Sequence, residues 1–385
     1  MPRKDDGSTS SVPAGPSRRS FLRFAALLAG SVGLQGLPRL MDTATAALDA
    51  RAYASGRFAF ELDGVLLDFV KSVEGGFARA DVVQEKLGPS QFSKKHLANL
   101  KYADIVLQCD PSLAGPLLNW ITASLAMTHA RKNGAVITAD FDMKERSRLE
   151  FFNAFISEVT IPACDAATKD PGALTLKLSP EYTRPVAGKG SVLPIPLGGA
   201  KQQKSWSPAN FRLQIQGLEA ACTRINKIEA LTIKQIISQN AIGELRDYQK
   251  EPASLEFPNL VVTLPEIDAG PFFQWFDDFV VKGNMGDDKE RPGFLELLSP
   301  DMKTVLLRVN FSHLGIFSFL PMRQETNADS IARVKVEMYC EQMTIGGAVT
   351  TQAAPPPPPQ GQPAIPQGQL LPPSGLQKSM PRIGP

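Results

Sequence analysis

Apolar and polar residues alternate along short segments in both halves of the chain, which is the pattern of half-buried β-strands. Residues 57–64 read RFAFELDG, and residues 211–217 read FRLQIQG, so that each alternating run ends at a glycine. Similar alternation at residues 174–178 and 333–339 predicts a closing strand for each half. The chain is therefore predicted to be mainly β.

A longer segment is repeated in the two halves. From Leu100 the chain reads LKYADIVLQCDPSLAGPLLNWI, and from Leu255 it reads LEFPNLVVTLPEIDAGPFFQWF. The segments align without a gap, so that Trp120 coincides with Trp275. The alternating part predicts a strand, and Gly-Pro then suits the start of a helix, because proline's missing N–H has no helical partner there.

One apolar stripe runs along each predicted helix. We therefore predict that Trp120 and Trp275 anchor the helices by packing. The aromatic residues of the second helix, Trp275 included, could instead line a ligand pocket, although core packing is favoured. The stripes consist of Leu117, Leu118, Ile121 and Leu125 in the first helix, and of Phe272, Phe273, Phe276, Phe279 and Val280 in the second.

The remaining apolar runs predict further strands in both halves. Residues 221–228 and 231–237 are two such strand candidates, and residues 293–298 and 305–311 are predicted to form a pair. A repeat of this length indicates a duplicated domain and not a solenoid unit of roughly 20–50 residues.

The composition divides the chain into five segments. A signal segment at 1–46 precedes a first domain at 55–185, and a linker rich in Gly and Pro at 186–208 leads to a second domain at 209–347. The last segment, 348–385, contains five consecutive prolines and little apolar content, so we predict a disordered, partly polyproline II tail. A spacer, a docking arm and a solubilising tail are all compatible with it.

The N-terminal segment carries the twin-arginine export pattern. An apolar stretch at residues 24–37 follows, which is shorter than the roughly 20 residues of a membrane span, and residues 44–46 resemble a cleavage site. Export to the periplasm or the outside is predicted, and a cytoplasmic or virion-associated protein is the alternative. The pattern consists of Arg18, Arg19, Phe21 and Leu22.

Charge and motif content favour a protein without catalytic or cofactor chemistry. The 41 basic and 39 acidic residues nearly cancel, which argues against nucleic acid as a partner. The sequence contains no nucleophile elbow, zinc-protease helix or phosphate loop. We therefore predict no enzyme, no cofactor and no metal site.

Three sets of residues allow other interpretations. Asp140 and Asp142 lie on one side of a predicted strand and could hold a cation, although a solvated strand edge is favoured. His129 near a helix end has no partner for base catalysis. One disulfide per domain could form after export, although the positions do not correspond between copies; the pairs would be Cys109 with Cys164 and Cys222 with Cys340.

Each half resembles the tail-tube protein family of contractile phages and related injection systems. Three features carry the resemblance: an opening strand that ends in glycine, a strand and loop leading to a helix with a tryptophan, and a strand pair followed by a closing alternating strand. It covers residues 55–185 and about 210–347.

The resemblance implies two tandem β-sandwich or barrel domains, each flanked by one helix, whose edge strands pair with neighbours to close a ring. Three or six chains would form such a ring or a two-layer stack, with tail-like or baseplate-like proteins as further partners. The divergence of the copies favours an adaptor or tube initiator over a repeating tube subunit. The alternative is an exported two-domain binding module tethered by its Pro-rich tail.

Overall fold

Strands form most of the first half in the computed structural model of the protein. The structure describes residues 56–86, 88, 92–128, 130–196, 206–240, 248–322 and 331–347. One helix, α1 (Gly115–Leu125), lies among its strands. The strands are β1 (Arg57–Leu62), β2 (Val65–Val70), β3 (Ser72–Gly75), β4 (Ala78–Lys86), β5 (Ser93–Tyr102), β6 (Ile105–Cys109), β7 (Lys132–Ala139), β8 (Glu145–Ile161), β9 (Cys164–Asp165), β10 (Leu174–Ser179) and β11 (Tyr182–Ala187).

The second half has the same character. It contains a short helix α2 (Glu219–Cys222), helix α3 (Gly270–Phe276) with a π turn (Asp277–Val281), and 3₁₀ turns at Glu266–Asp268 and Asp287–Lys289. Its strands are β12 (Phe211–Ile215), β13 (Lys227–Ile228), β14 (Leu231–Asn240), β15 (Gln249–Glu256), β16 (Leu260–Pro265), β17 (Arg291–Leu298), β18 (Val305–Pro321) and β19 (Arg333–Gly347). The expected mainly-β, α+β class is confirmed.

Both halves build a sheet with the same order of strands. Within the first sheet the order is β1-β7-β8-β10-β6-β3, and within the second it is β12-β17-β18-β19-β16-β13. All neighbouring strands in these two series are antiparallel. Each strand of one series therefore has a counterpart at the same place in the other.

The longest strands show how closely the two sheets correspond. Strands β8 and β18 are both 17 residues long and begin 160 positions apart, at Glu145 and Val305. Each contains one non-glycine residue with positive φ at the same place, Asn153 (φ 50°) and His313 (φ 56°). This conformation is uncommon inside a strand. Near Asn153, β8 changes its partners from β7 and β11 to β10 and β14, whereas β18 pairs with β19 on both sides of His313 and with β17 only in its first part.

A glycine in each sheet permits close packing at equivalent registers. Gly134 pairs with Leu62 on β1 and with Phe151 on β8, and Gly293 pairs with Ile215 on β12 and with Phe311 on β18. A Cβ at Gly134 would lie 2.2 Å from the carbonyl oxygen of Glu61. Only glycine fits such a contact without moving a strand.

The two helices begin at Gly-Pro as predicted, but the stripe on α3 is partly wrong. Phe272 is fully buried, whereas Phe273 is 52% exposed and Val280 is also exposed. The π turn after α3 adds a residue to the helical turn. Phe279 therefore points to the core, and Val280, the last residue of the predicted stripe, points to solvent.

The predicted strand at 221–228 is also wrong, because most of this segment is not extended. It holds the short helix α2, and only Lys227–Ile228 pairs as a strand. The buried residues are spaced i, i+3, i+4 and i+7, which is a helical spacing. They are Leu218, Ala221, Cys222 and Ile225.

Part of the segment assigned to a linker belongs to the core. Strand β11 continues to Ala187 and pairs with β8. Trp206 is fully buried, and its Nε1 donates a hydrogen bond to the carbonyl oxygen of Asn210 at 3.1 Å. Its ring covers Gly172, where a Cβ would lie 2.3 Å from the indole.

Candidate assembly interface

The sheets of the two halves are joined by strand pairing. The hairpin β14–β15, here called hairpin 2, belongs to the second half, but β14 pairs with β8 of the first sheet from Leu231↔Ile161 to Lys234↔Glu158. The hydroxyls of Thr160 and Thr232 lie 3.1 Å apart within this pairing. The second half therefore extends the first sheet by two strands.

Two further contacts cross between the halves. Strand β9, which follows β8, pairs with β13 at the edge of the second sheet. Helix α1 of the first half lies on β19 of the second, where Thr122 Oγ1 donates to the carbonyl oxygen of Ile345 at 3.1 Å. Leu118 covers Gly347, where a Cβ would lie 2.3 Å from the leucine side chain. We call these contacts, with that of hairpin 2, the internal junction.

A buried lysine is the electrostatic centre of the internal junction. Lys250 on β15 is buried, and its Nζ donates to Ser179 Oγ at 2.9 Å and lies 4.0 Å from Asp104 Oδ1. Burial lowers the pKa of Lys250, while the charges of Asp104 and Glu181 oppose this shift. The carboxylates therefore hold a cation that the junction has removed from water.

The backbone of Lys250 is bound as well. Its N–H donates to Glu181 Oε1 at 3.1 Å, and its carbonyl oxygen accepts a hydrogen bond from Arg131 Nη2 at 3.0 Å. Asn153, at the bend of β8, donates through Nδ2 to Glu181 Oε2 at 2.7 Å. First-half residues therefore form the receiving site for Lys250: Asp104, Arg131, Ser179 and Glu181 contact it, and Asn153 holds Glu181.

The first half contains a corresponding hairpin, β4–β5, here called hairpin 1. Hairpin 1 follows the short strand β3, and hairpin 2 follows the equivalent short strand β13. The pair Gln84↔Lys95 in hairpin 1 corresponds to the pair Gln239↔Lys250 in hairpin 2, 155 residues later. Among the described residues, β4 pairs only with β5. Hairpin 1 therefore has the strand edge that hairpin 2 uses, but without a partner.

The strand edge that would accept hairpin 1 is unpaired in the second sheet. Residues 317–321 of β18 correspond to the part of β8 that binds hairpin 2, and within the described chain they pair only with β19. Phe77, just before β4, is 63% exposed, and Leu320 on β18 is 52% exposed. Two exposed apolar side chains therefore lie at the positions equivalent to the paired Thr232 and Thr160.

The second half also has a cluster that corresponds to the receiving site of Lys250. His313 Nδ1 lies 2.8 Å from Glu290 Oε2, and the Tyr339 hydroxyl donates to Glu290 Oε1 at 2.5 Å. Burial, then the hydrogen bond to Glu290, raises the pKa of Tyr339. Exposed Glu341 completes the cluster, since its carboxylate lies within 4.8 Å of the ligand atoms of Glu290 and His313. Such a cluster could bind a cation.

The residues singled out from the sequence have other surroundings. Trp120 is buried, and its Nε1 donates to the carbonyl oxygen of Ala130 at 2.9 Å. Trp275 is buried beneath the guanidinium of Arg291, which lies 4.9 Å from the centre of its ring. Neither tryptophan belongs to the internal junction. His129, the export residues Arg18, Arg19, Phe21 and Leu22, and the tail lie outside the described residues.

The alternative roles of the acidic and thiol residues are not supported. Strand β7 ends at Ala139, and Asp140 lies in a turn, where it accepts hydrogen bonds from the N–H groups of Asp142 and Lys144, both at 2.9 Å. The two possible disulfides are not formed in the structure, where all four cysteines are free and buried. Burial raises the pKa of Cys109 and Cys164 to about 12.

Sequence reasoning missed the lysines of both hairpins and the residues that surround Lys250. Their signal was present, since the same Gln and Lys recur at the spacing of the aligned tryptophans. It became visible only once both hairpins were paired strand by strand. No described helix is both long and apolar enough to cross a membrane.

Comparisons with known proteins give similarities at the level of structure. No protein-family model matches the chain, and no curated protein matches it. The chain is similar to a protein in the sheath/tube terminator structure of PVC, an extracellular contractile injection system, with 18% identity, a TM-score of 0.32, and coverage of 36% of this chain and 99% of the other.

Two other solved structures are similar at comparable levels. The tube-terminating cap of the anti-feeding prophage is similar with 14% identity and a TM-score of 0.28, over 41% of this chain and 97% of the other. Hcp1 from Flavobacterium johnsoniae is similar with 10% identity and a TM-score of 0.23, over 36% of this chain and 94% of the other. TM-scores this low assign no function.

Proposed function

We propose that this chain is a non-enzymatic structural protein with two tail-tube-like units in tandem, and that copies of it join edge to edge into a ring. The observation that carries the proposal is the internal junction, where a hairpin of one unit extends the sheet of the other. The equivalent hairpin and the equivalent strand edge lack partners among the described residues. A second copy supplies both.

The direction of the contacts is consistent with a closed assembly. At the internal junction, the second unit contributes the hairpin and the first contributes the accepting strand. Hairpin 1 of the next chain would bind β18 of this one in the same sense, and the exposed Phe273, which aligns with Leu118, would contact β11 of that next chain. Repetition of one head-to-tail contact gives a ring when its rotation closes after a whole number of chains, and the ring proposal requires such a rotation.

The duplication favours a specialised role at an end of a tube. The internal and external contacts differ in their side chains, for example Thr160 with Thr232 in one and Leu320 with Phe77 in the other. Three chains would supply six units to one ring, and six chains would supply a two-layer stack. An adaptor or tube initiator, bound to tail-like or baseplate-like proteins, fits unequal units better than a repeating tube subunit does.

Replacing Phe77 by aspartate should weaken assembly strongly while leaving the monomer folded. Loss of an apolar contact of this size costs about 2 kcal/mol, which weakens each contact between chains roughly 30-fold. Native mass spectrometry and sedimentation velocity of the full chain would measure the change. Exposed Phe141, in the turn after β7, provides the control, because Phe141→Asp should assemble normally. A wild-type chain that stays monomeric at high concentration, with no co-purifying partner, would contradict the proposal.

We also propose that the leader exports the folded chain by the twin-arginine route, on the support of the Arg-Arg-x-Phe-Leu pattern alone. Exchange of Arg18 and Arg19 for lysine should retain the protein in the cytoplasm. Fractionation of cells that carry either form would measure the distribution. Equal cytoplasmic retention of the wild type would speak against export and for a virion-associated or cytoplasmic protein.

A further inference from the structure

We propose that Glu290, His313, Tyr339 and Glu341 form a socket that receives Lys95 from hairpin 1 of a second copy of this chain. The inference rests on the proposed edge-to-edge assembly and names the side chains that specify it. It is argued from the occupied site at the internal junction, where Lys250 is seated among the corresponding residues of the first half.

The four socket residues correspond to four of the five residues at the Lys250 site, and Asn259 stands at the place of the fifth, Asp104. His313 and Asn153 are the bends of β18 and β8, which begin 160 positions apart. Tyr182 on β11 pairs with Phe152 on β8, and Gln342 on β19 pairs with Ser312 on β18. Both residues of the second pair lie 160 positions after those of the first, which is also the spacing of the two bends. Tyr339 and Glu341 therefore occupy the places of Ser179 and Glu181. Glu290 precedes β17 as Arg131 precedes β7.

The inserted residue is conserved between the two hairpins. Lys95 pairs with Gln84 on β4, and Lys250 pairs with Gln239 on β14. In the internal junction this register places the lysine over the bend of the accepting strand. With the same register, hairpin 1 of a second copy would align Phe77 with Leu320 and bring Lys95 to His313. In the isolated chain, Lys95 is exposed.

Charge explains why a lysine suits this socket. At the internal junction the receiving site contains the cation Arg131, and Asp104 and Glu181 supply the negative charge beside Lys250. In the socket, Glu290 replaces Arg131 while Glu341 keeps the place of Glu181, so two carboxylates lie close together beside His313. An ammonium group between them would remove the repulsion of these like charges.

A swap of charges tests the contact. Lys95→Glu and Glu341→Lys should each weaken assembly roughly tenfold or more, since each places like charges together. The double variant, which carries both substitutions, should recover most of the wild-type assembly. Lys94→Glu is the matched control, because neighbouring residues of a strand point to opposite faces. Sedimentation velocity on the full chain measures assembly, and circular dichroism confirms that each variant is folded.

A covalent readout distinguishes the socket from a general electrostatic effect. Carbodiimide treatment of a mixture of ¹⁴N- and ¹⁵N-labelled chains should yield a Lys95–Glu341 or Lys95–Glu290 amide that joins a light peptide to a heavy one. Mass spectrometry detects this mixed product, and its formation would support the proposal. The yield of the amide should fall sharply in Phe77→Asp, in which the contact between chains is expected to be weakened.

Three outcomes would overturn the inference. Normal assembly of Lys95→Glu, with loss of assembly in Phe77→Asp, would leave the ring proposal intact and remove the lysine from it. Dissociation by a chelator, with no effect of Lys95→Glu, would make the cluster a metal site. A wild-type chain that never assembles would overturn the socket together with the proposed function.

Discussion

Gly134→Ala should destabilise the protein by about 3 kcal/mol, although it adds a single methyl group. That methyl would lie 2.2 Å from the carbonyl oxygen of Glu61 and 2.5 Å from the ring of Phe151. The first neighbour is backbone in the adjacent strand, so relief requires β1 and β7 to separate and lose ladder hydrogen bonds. Denaturant unfolding followed by tryptophan fluorescence would measure the free energy of unfolding.

Gly346→Ala is the matched control for this substitution. Gly346 also lies in a strand, β19, but no atom lies within 4 Å of the place its Cβ would take. The free energy of unfolding of Gly346→Ala should stay within roughly 0.5 kcal/mol of the wild-type value. Equal stabilities of Gly134→Ala and Gly346→Ala would show that the glycine is not needed for close strand approach, and would weaken the register equivalence between Gly134 and Gly293.

Trp206→Ala should cost about 4 kcal/mol of unfolding free energy, which is the usual range for an aromatic residue removed from a core. The side chain is fully buried over Gly172, and its indole N–H is bonded to Asn210. Alanine would leave a cavity between the segment that contains Trp206 and Gly172 of the first half. Equilibrium unfolding in urea would measure the loss.

The comparison for Trp206 is an exposed residue of the same Gly- and Pro-rich segment. Ile195 is exposed, so Ile195→Ala should change the unfolding free energy by less than roughly 0.5 kcal/mol. A loss below about 1 kcal/mol for Trp206→Ala would mean that the segment behaves as a free linker around the tryptophan. Such a result would favour the sequence-based prediction that residues 186–208 form an interdomain linker.

Local pattern predicted the class of fold well, because it depends on neighbouring residues. Alternation predicted β1 and β12 near their observed positions, and Gly-Pro with an apolar stripe predicted α1 and α3. The errors arose where a tertiary contact decides between short alternatives. At Ala221 and Cys222 the apolar residues suit either a strand or a helical turn, and packing in the core selects the turn.

The candidate interface could be predicted only in part. The repeat around Trp120 and Trp275 indicated two related units, and the resemblance to tail-tube proteins indicated edge pairing. The residues at the junction were hidden, because Lys250 and Glu181 lie far apart in the chain and belong to different units. Their partnership depends on where hairpin 2 binds β8.

The sequence alone determined that the chain is mainly β, that it repeats a strand–helix segment, and that it carries no recognised catalytic motif. These properties follow from periodicity and composition, which need no long-range contact. The tertiary structure decided that hairpin 2 extends the first sheet, that Trp206 is core, and that hairpin 1 has no partner strand within the described part of the chain. Strand pairing between distant segments is set by backbone hydrogen bonds and by the fit of both faces. No single strand encodes its partner.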